Sequence, residues 1–279
     1  MMNRLTKILW LLIGVAGLAM GGCAAHPWTP RLTLPARYTV LRDQLAIHSD
    51  FPLAANHRLV TELVAVRADL RHRLGIPSSE EPILVYLFEN ADELNGFVHL
   101  YHPEFPARRA FFLETDTRLQ IYAQWGDHIG EDLRHEVTHG YLHSSVPNLP
   151  LWLDEGIAEY YEVPRSTGGM NRTDLECLVT GLERRQWRPD LARMERLEPT
   201  REMTQEEYSE AWAWVHFLLE TRREHRMVLR EYLEDLRRYG SAEPLAVRLQ
   251  GLVSDPERAL IAYVESLAAG VQRPAGDSR

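Results

Sequence analysis

Apolar positions along the chain recur first with the period of strands and then with that of helices. From Tyr38 to Ile47 they alternate around a polar break at Arg42-Asp43-Gln44, which predicts a β-hairpin. Between Pro52 and Leu74 the stripe Leu59, Leu63, Val66, Leu70 and Leu74 predicts a helix, ended by Gly75. Pro82 to Phe88 is a continuous apolar run suited to a buried strand. Asn90, with Glu93 three residues on, marks the start of a short helix. Ala110 to Trp125 reads as two strands. Phe111, Phe112 and Leu113 precede a turn at Thr115-Asp116-Thr117, and Leu119, Ile121 and Ala123 alternate after it.

Beyond this point the pattern is almost wholly helical. Ile129 to His143 carries Glu131 and Asp132 at its positive end and Leu133, Val137 and Tyr141 along the face that should meet a sheet. Pro147 and Pro150 interrupt it, and a second helix follows. Pro164 to Asn171 is a Gly-rich loop, and Thr173-Asp174-Leu175-Glu176 reads as a capping box opening another helix. Trp187 to Thr200 is irregular. Glu206 to Glu224, Met227 to Tyr239 and Pro256 to Ala268 are further helices. The expected fold class is α+β. A small mixed β-sheet with helices spans residues 38–126, a mainly helical lobe spans 127–269, and 270–279 is a flexible tail.

The N-terminus has another character. Arg4 and Lys7 precede the apolar stretch Ile8 to Met20, and Gly21-Gly22 stand before Cys23. Residues 1–22 therefore read as a targeting segment rather than as fold. Residues 23–37 hold Pro27, Pro30 and Pro35 and read as a tether. The rest is ordinary globular composition, 45% hydrophobic and 25% charged over 279 residues. A net charge of -9 argues against a nucleic-acid surface. With two cysteines, one of them in the targeting region, no disulfide framework is expected, and Cys177 should be a small buried apolar residue of an amphipathic helix.

The chemistry concentrates in His135-Glu136-Val137-Thr138-His139 and in Leu151 to Tyr160. Residues four apart share a helix face, so His135 and His139 can aim two imidazoles at one ion. Glu136 is turned about 100° from His135, where a general base for an activated water belongs. Two imidazoles alone hold zinc weakly, and a catalytic site takes a third protein ligand and leaves a fourth position open. Glu155 is the best-placed third ligand, with His143 and Asp154 as its competitors. Glu159, one turn past Glu155, can accept a hydrogen bond from a ligating imidazole and fix its tautomer. Two imidazoles and one carboxylate favour a single Zn2+ over other divalent ions.

HEVTH followed by WLDEGIAEY resembles the gluzincin metallopeptidases, whose pattern is HExxH, a short interval, and a Glu just before Gly on a second helix. The resemblance implies a zincin-like fold with the metal between the two lobes. It makes His135, His139 and Glu155 the zinc ligands, Glu136 the base, and Glu159 the supporting carboxylate. It also makes the segment Ala110 to Trp125, just before the HExxH helix, the candidate for an edge strand that pairs with extended substrate; the reading beside it is an ordinary core hairpin. YSEAWAWVHFLL, from Tyr208 to Leu219, resembles the aminopeptidase helix whose Tyr donates to the oxyanion, which makes Tyr208 a second catalytic candidate; the reading beside it is a Tyr that packs on the core. His216, in the same apolar stripe, reads as a buried core histidine. The G-x-M-E-N segment of the aminopeptidases is missing, which favours an endopeptidase acting on a peptide or protein. The N-terminus resembles a bacterial lipoprotein signal, with Cys23 as the lipidated residue. That resemblance implies a lipid anchor in the cell envelope, and Ala24 in place of Asp implies the periplasmic face of the outer membrane. The alternative to a peptidase is an envelope lipoprotein that keeps the metal site as a non-catalytic scaffold.

Overall fold

The computed structural model describes residues 33–272. The targeting segment, Cys23 and residues 23–32 of the tether lie outside the described residues, as does the tail from 273. Among the described residues no helix is long and apolar enough to cross a membrane.

Five strands form one mixed sheet in the order β1-β2-β3-β5-β4. The strands β1 (Tyr38–Arg42) and β2 (Leu45–Ser49) make the expected antiparallel hairpin, turning at Asp43 with φ 50°. Strand β3 (Ile83–Phe88) lies parallel to β2 and to β5 (Arg118–Gln124), and β4 (Ala110–Thr115) closes the far edge antiparallel to β5. Alternation along β3 and β5 sorts their side chains onto two covered faces. Ile83, Val85, Leu87, Leu119, Ile121 and Ala123 enter the main core. Tyr86, Phe88 and Tyr122 form a smaller aromatic cluster with Phe97 of α2 (Ala91–Tyr101) on the opposite face.

Helix α1 (Arg58–Asp69) starts six residues later than the expected Pro52, because His57 turns back on the Ala54 carbonyl and caps Leu59 N–H with its ring. Its last turn, Leu70–Leu74, widens to a π-helix, and Gly75 closes it in the left-handed conformation at φ 72°. Asn90 caps α2 as expected, accepting from Glu93 N–H at 3.1 Å.

Helix α3 (Ile129–His143) has the bounds its periodicity predicts, and Leu133, Val137 and Tyr141 are buried in the main core, where the Tyr141 hydroxyl donates to the Leu63 carbonyl of α1 at 3.3 Å. Gly140 lets it settle closely, since a Cβ there would stand 2.9 Å from Ile83 Cδ1. Helix α4 (Leu151–Glu162) follows after Pro150. The next helix, α5 (Arg172–Glu183), is capped by Asn171 rather than by the expected box at Thr173, because the Asn171 carboxamide already accepts from Thr173 and Asp174 N–H. Cys177, expected to be buried, takes a half-buried position on α5. The segment expected to be irregular contains a short helix, α6 (Leu191–Met194), capped by Asp190.

The long helix expected from Glu206 to Glu224 is two. Helix α7 (Gln205–Glu220) opens with a capping box between Thr204 and Glu207, and α8 (Arg223–Tyr239) starts after an extended Arg222. At the junction the Thr221 hydroxyl donates to the Phe217 carbonyl at 2.6 Å and closes the first helix. Helix α9 (Leu245–Gln250) was not signalled by the sequence pattern. Helix α10 (Pro256–Gln272) runs two residues beyond Gly270, where the tail was expected to begin. The main apolar cluster joins sheet residues such as Val40 and Ile121 to Trp212, Leu229 and Val264, so sheet and helices share one core.

Candidate metal centre

The site is assembled from α3, which rests on the sheet, and α4, which rests on α7. Gly156 sets the second contact: a Cβ there would stand 2.5 Å from the Ala211 carbonyl oxygen of α7. The residue before it, Glu155, thereby faces α3. His135, His139 and Glu155 each bring one donor atom within 4.8 Å of the others. Glu155 Oε2 stands 3.5 Å from His135 Nε2 and 3.7 Å from His139 Nε2. The three groups can hold one ion.

Both imidazoles are oriented from behind by carboxylates. His135 Nδ1–H donates to Glu162 Oε2 at 3.1 Å, and His139 Nδ1–H donates to Asp154 Oδ1 at 2.9 Å. A proton held on Nδ1 leaves the Nε2 lone pair free toward Glu155. The hydrogen bond from a ligating imidazole that was expected at Glu159 is instead accepted by Glu162, one turn further along α4. Glu159 shares the Asn171 carboxamide with Glu162, at 3.3 Å each. His135, Glu159 and Glu162 form one further group of close donor atoms, and His139, His143 and Asp154 form another. Each shares a histidine with the first group through its other side.

The two competitors for the third ligand have other roles. Asp154 bridges His139 and His143, accepting from His143 Nε2–H through its second oxygen at 2.9 Å. His143 in turn donates from Nδ1 to Glu114 Oε2 on β4 at 2.6 Å. Burial works against the charged form of His143, but Asp154 and Glu114 raise its pKa to about 9. Burial likewise opposes the charged forms of His135 and His139. Glu155 and Glu162 nevertheless raise the first well above its ordinary value, and Asp154 and Glu155 raise the second. Asp154 is held far below the usual carboxylate range by its two histidines, against its burial.

Glu136 lines an adjoining cavity of about 330 Å³ with His135, Glu162, Arg108 and Arg109. Burial raises its pKa, while His135, His139 and Arg108 pull the other way. Tyr208, on the first turn of α7, is half-buried. Burial raises its phenol to about 12, with Glu155 adding to the rise and Arg108 and His135 opposing it, so the O–H remains a donor beside these groups. His216 is buried and bonds Tyr263 through Nδ1 at 2.9 Å; burial lowers its pKa to about 4. The edge strand β4 runs alongside α3. Arg109, at its start, pairs with Asp132 and Glu131, and the Phe112 ring lies 5.1 Å from that of His143.

Sequence reasoning missed Glu162 as an imidazole partner, although the spacing 155, 159, 162 is helical and carried the signal. It also missed Arg108, which no motif marks.

The fold and site define an α+β protein with a candidate mononuclear metal centre at the junction of α3 and α4. A family model described as "Protein of unknown function (DUF1570)" matches residues 132–239. The chain is similar to that family over a stretch that contains His135, Glu136, His139, Glu155, Glu159 and Tyr208. No curated protein matches the chain.

Proposed function

We propose that the protein is a zinc-dependent peptidase of gluzincin type that hydrolyses peptide bonds, anchored to the bacterial envelope through Cys23. The observation that supports this most is the spacing of the three donors. Two ligands about 2.0–2.2 Å from a tetrahedral zinc stand about 3.4 Å apart. Glu155 Oε2 meets the two Nε2 atoms at 3.5 and 3.7 Å, with both tautomers already fixed by carboxylates.

Zinc at this position would supply Lewis acidity, polarising a carbonyl and lowering the pKa of water to about 7. His135, His139 and Glu155 hold the ion. Glu136 takes the proton of the attacking water and passes it to the leaving amine. Tyr208 donates its O–H to the oxyanion as negative charge develops there. The open edge of β4 pairs with the substrate backbone and lays the peptide along α3.

Metal analysis and peptide-library cleavage on the purified chain test this reading. One zinc per chain is expected in both wild type and Glu136→Gln, with cleavage only in wild type. Zinc in both and identical behaviour in every cleavage assay would leave a binding scaffold. Absence of stoichiometric zinc would end the metal reading.

A further inference from the structure

We infer that Arg108 selects substrates bearing a carboxylate close to the scissile bond, an inference that rests on the peptidase reading above. Arg108 lies two residues before β4 and lines the same cavity as His135 and Glu136. A segment laid along the β4 edge therefore brings one of its ends to this arginine.

The other charged groups of the cavity wall are already engaged. Arg109 holds Asp132 through three hydrogen bonds and also reaches Glu131. Glu162 accepts from His135 and Asn171, and Glu136 is the candidate base. Arg108 differs from all of these. Its one carboxylate within 4.0 Å among the described residues is Glu202, at 3.0 Å, whose side chain is 78% exposed on the segment leading to α7. Glu202 is not part of the cavity wall. An ion pair this open to water shifts an equilibrium by no more than about fivefold, so an incoming carboxylate can replace Glu202.

Position and shape agree with this role. The charge of Arg108 reaches both Glu136 and Tyr208, so its ligand would sit beside the groups assigned to the chemistry. A guanidinium offers a planar fork that matches a carboxylate with two parallel hydrogen bonds. The cavity, about 330 Å³, admits one side chain or one chain terminus. Either source of the carboxylate fits it.

The test uses the zinc-loaded Glu136→Gln chain, which keeps its three ligands and removes the base. Its affinity is measured by fluorescence anisotropy for peptides in matched pairs, Glu against Gln and free C-terminal acid against amide. The carboxylate member of one pair should bind about tenfold more tightly, the size of a charged hydrogen bond. Which pair responds tells a side-chain carboxylate from a terminal one. Adding Arg108→Ala should abolish the difference, and adding Glu202→Gln should tighten the acidic peptide by up to about fivefold. Equal affinity within both pairs, no measurable binding, or a preference that survives Arg108→Ala overturns the inference. Binding is read without turnover. A wild-type chain that cleaves nothing while Arg108-dependent binding persists would refute the peptidase reading and leave Arg108 as the recognition residue of a peptide site.

Discussion

Replacing Asp154 changes the charge behind the metal centre without removing a ligand. Its two oxygens accept from His139 Nδ1–H and from His143 Nε2–H, each at 2.9 Å. Asparagine has the same shape but one acceptor oxygen and one NH2. If the NH2 faced His139, Nδ1 would have to accept, the ring proton would move to Nε2, and no lone pair would remain for an ion. The alternative is to turn the NH2 toward His143. That ring can lose its Nε2 proton, because Glu114 still accepts from its Nδ1. Asp154→Asn therefore has an escape, and the structure predicts the smaller end of the usual effect of losing an outer carboxylate, about tenfold in zinc affinity, or about 1.4 kcal/mol. Asp154→Ala has no acceptor to offer His139 and should approach 100-fold. Competition titration against a chromophoric chelator at fixed pH measures both, with circular dichroism confirming the fold. Two variants within twofold of wild type, or the asparagine variant weaker than the alanine one, would refute the argument that Asp154 sets the His139 tautomer.

The metal-free chain should lose stability between pH 6.5 and about 9. Without an ion, the folded-state pKa values of His135, His139 and His143 are raised, so the stability they contribute is complete below the unfolded value and disappears as pH climbs through the folded one. Zinc displaces the Nε2 protons of His135 and His139, and the gap in Tm between loaded and metal-free protein should widen as pH rises over this interval; a flat metal-free Tm in a scanning experiment would contradict this. Gly156→Ala forces a Cβ to within 2.5 Å of a backbone oxygen of α7. It should cost about 1–3 kcal/mol, with Tm falling by about 2–4 °C for each, and zinc affinity should fall as Glu155 shifts; an unchanged Tm would mean the two helices part freely. Tyr208→Phe should lower kcat by about 10²–10³ and leave zinc affinity within twofold. An unaltered kcat would assign the phenol to packing alone.

Elements that repeat one period over many residues were legible in the sequence. Helix α3 is an example, its bounds fixed by the Leu133, Val137, Tyr141 stripe and the acidic start. The hairpins β1-β2 and β4-β5 were marked by polar turns between alternating runs. What failed depended on competition between adjacent signals. Asn171 and Thr173 both resemble caps, and the carboxamide that comes first takes the free N–H groups. Thr221 ends α7 by bonding backward within a stretch whose apolar pattern continues. At the site, the meeting of His135, His139 and Glu155 was readable because two helical repeats and a proline-bearing interval nearly fix it. The choice of Glu162 over Glu159 behind His135 was not. It depends on how far α4 is rotated against α3, and that rotation is set where Gly156 meets Ala211, a residue of α7 far along the chain from either carboxylate.

The two helices that carry the donors are also tied down by contacts outside the donor set. Helix α3 is fixed to the sheet by Gly140 on Ile83 and by Arg109 on Asp132, and to α1 by Arg134 on Glu62 at 2.9 Å. Arg134 also donates to the Glu162 carbonyl at 2.7 Å, tying the end of α4 to α3 near His135. None of these contacts involves a donor atom of the candidate centre. In small metal-dependent folds the ligands themselves close the structure, and removing the ion unfolds the chain. Here the apolar core and these ion pairs hold the ligands in place, so binding energy need not be used to order the chain. An arrangement of that kind suits a site whose remaining position is for substrate, because a framework held by contacts outside the donor set keeps its shape while what is bound at that position is exchanged.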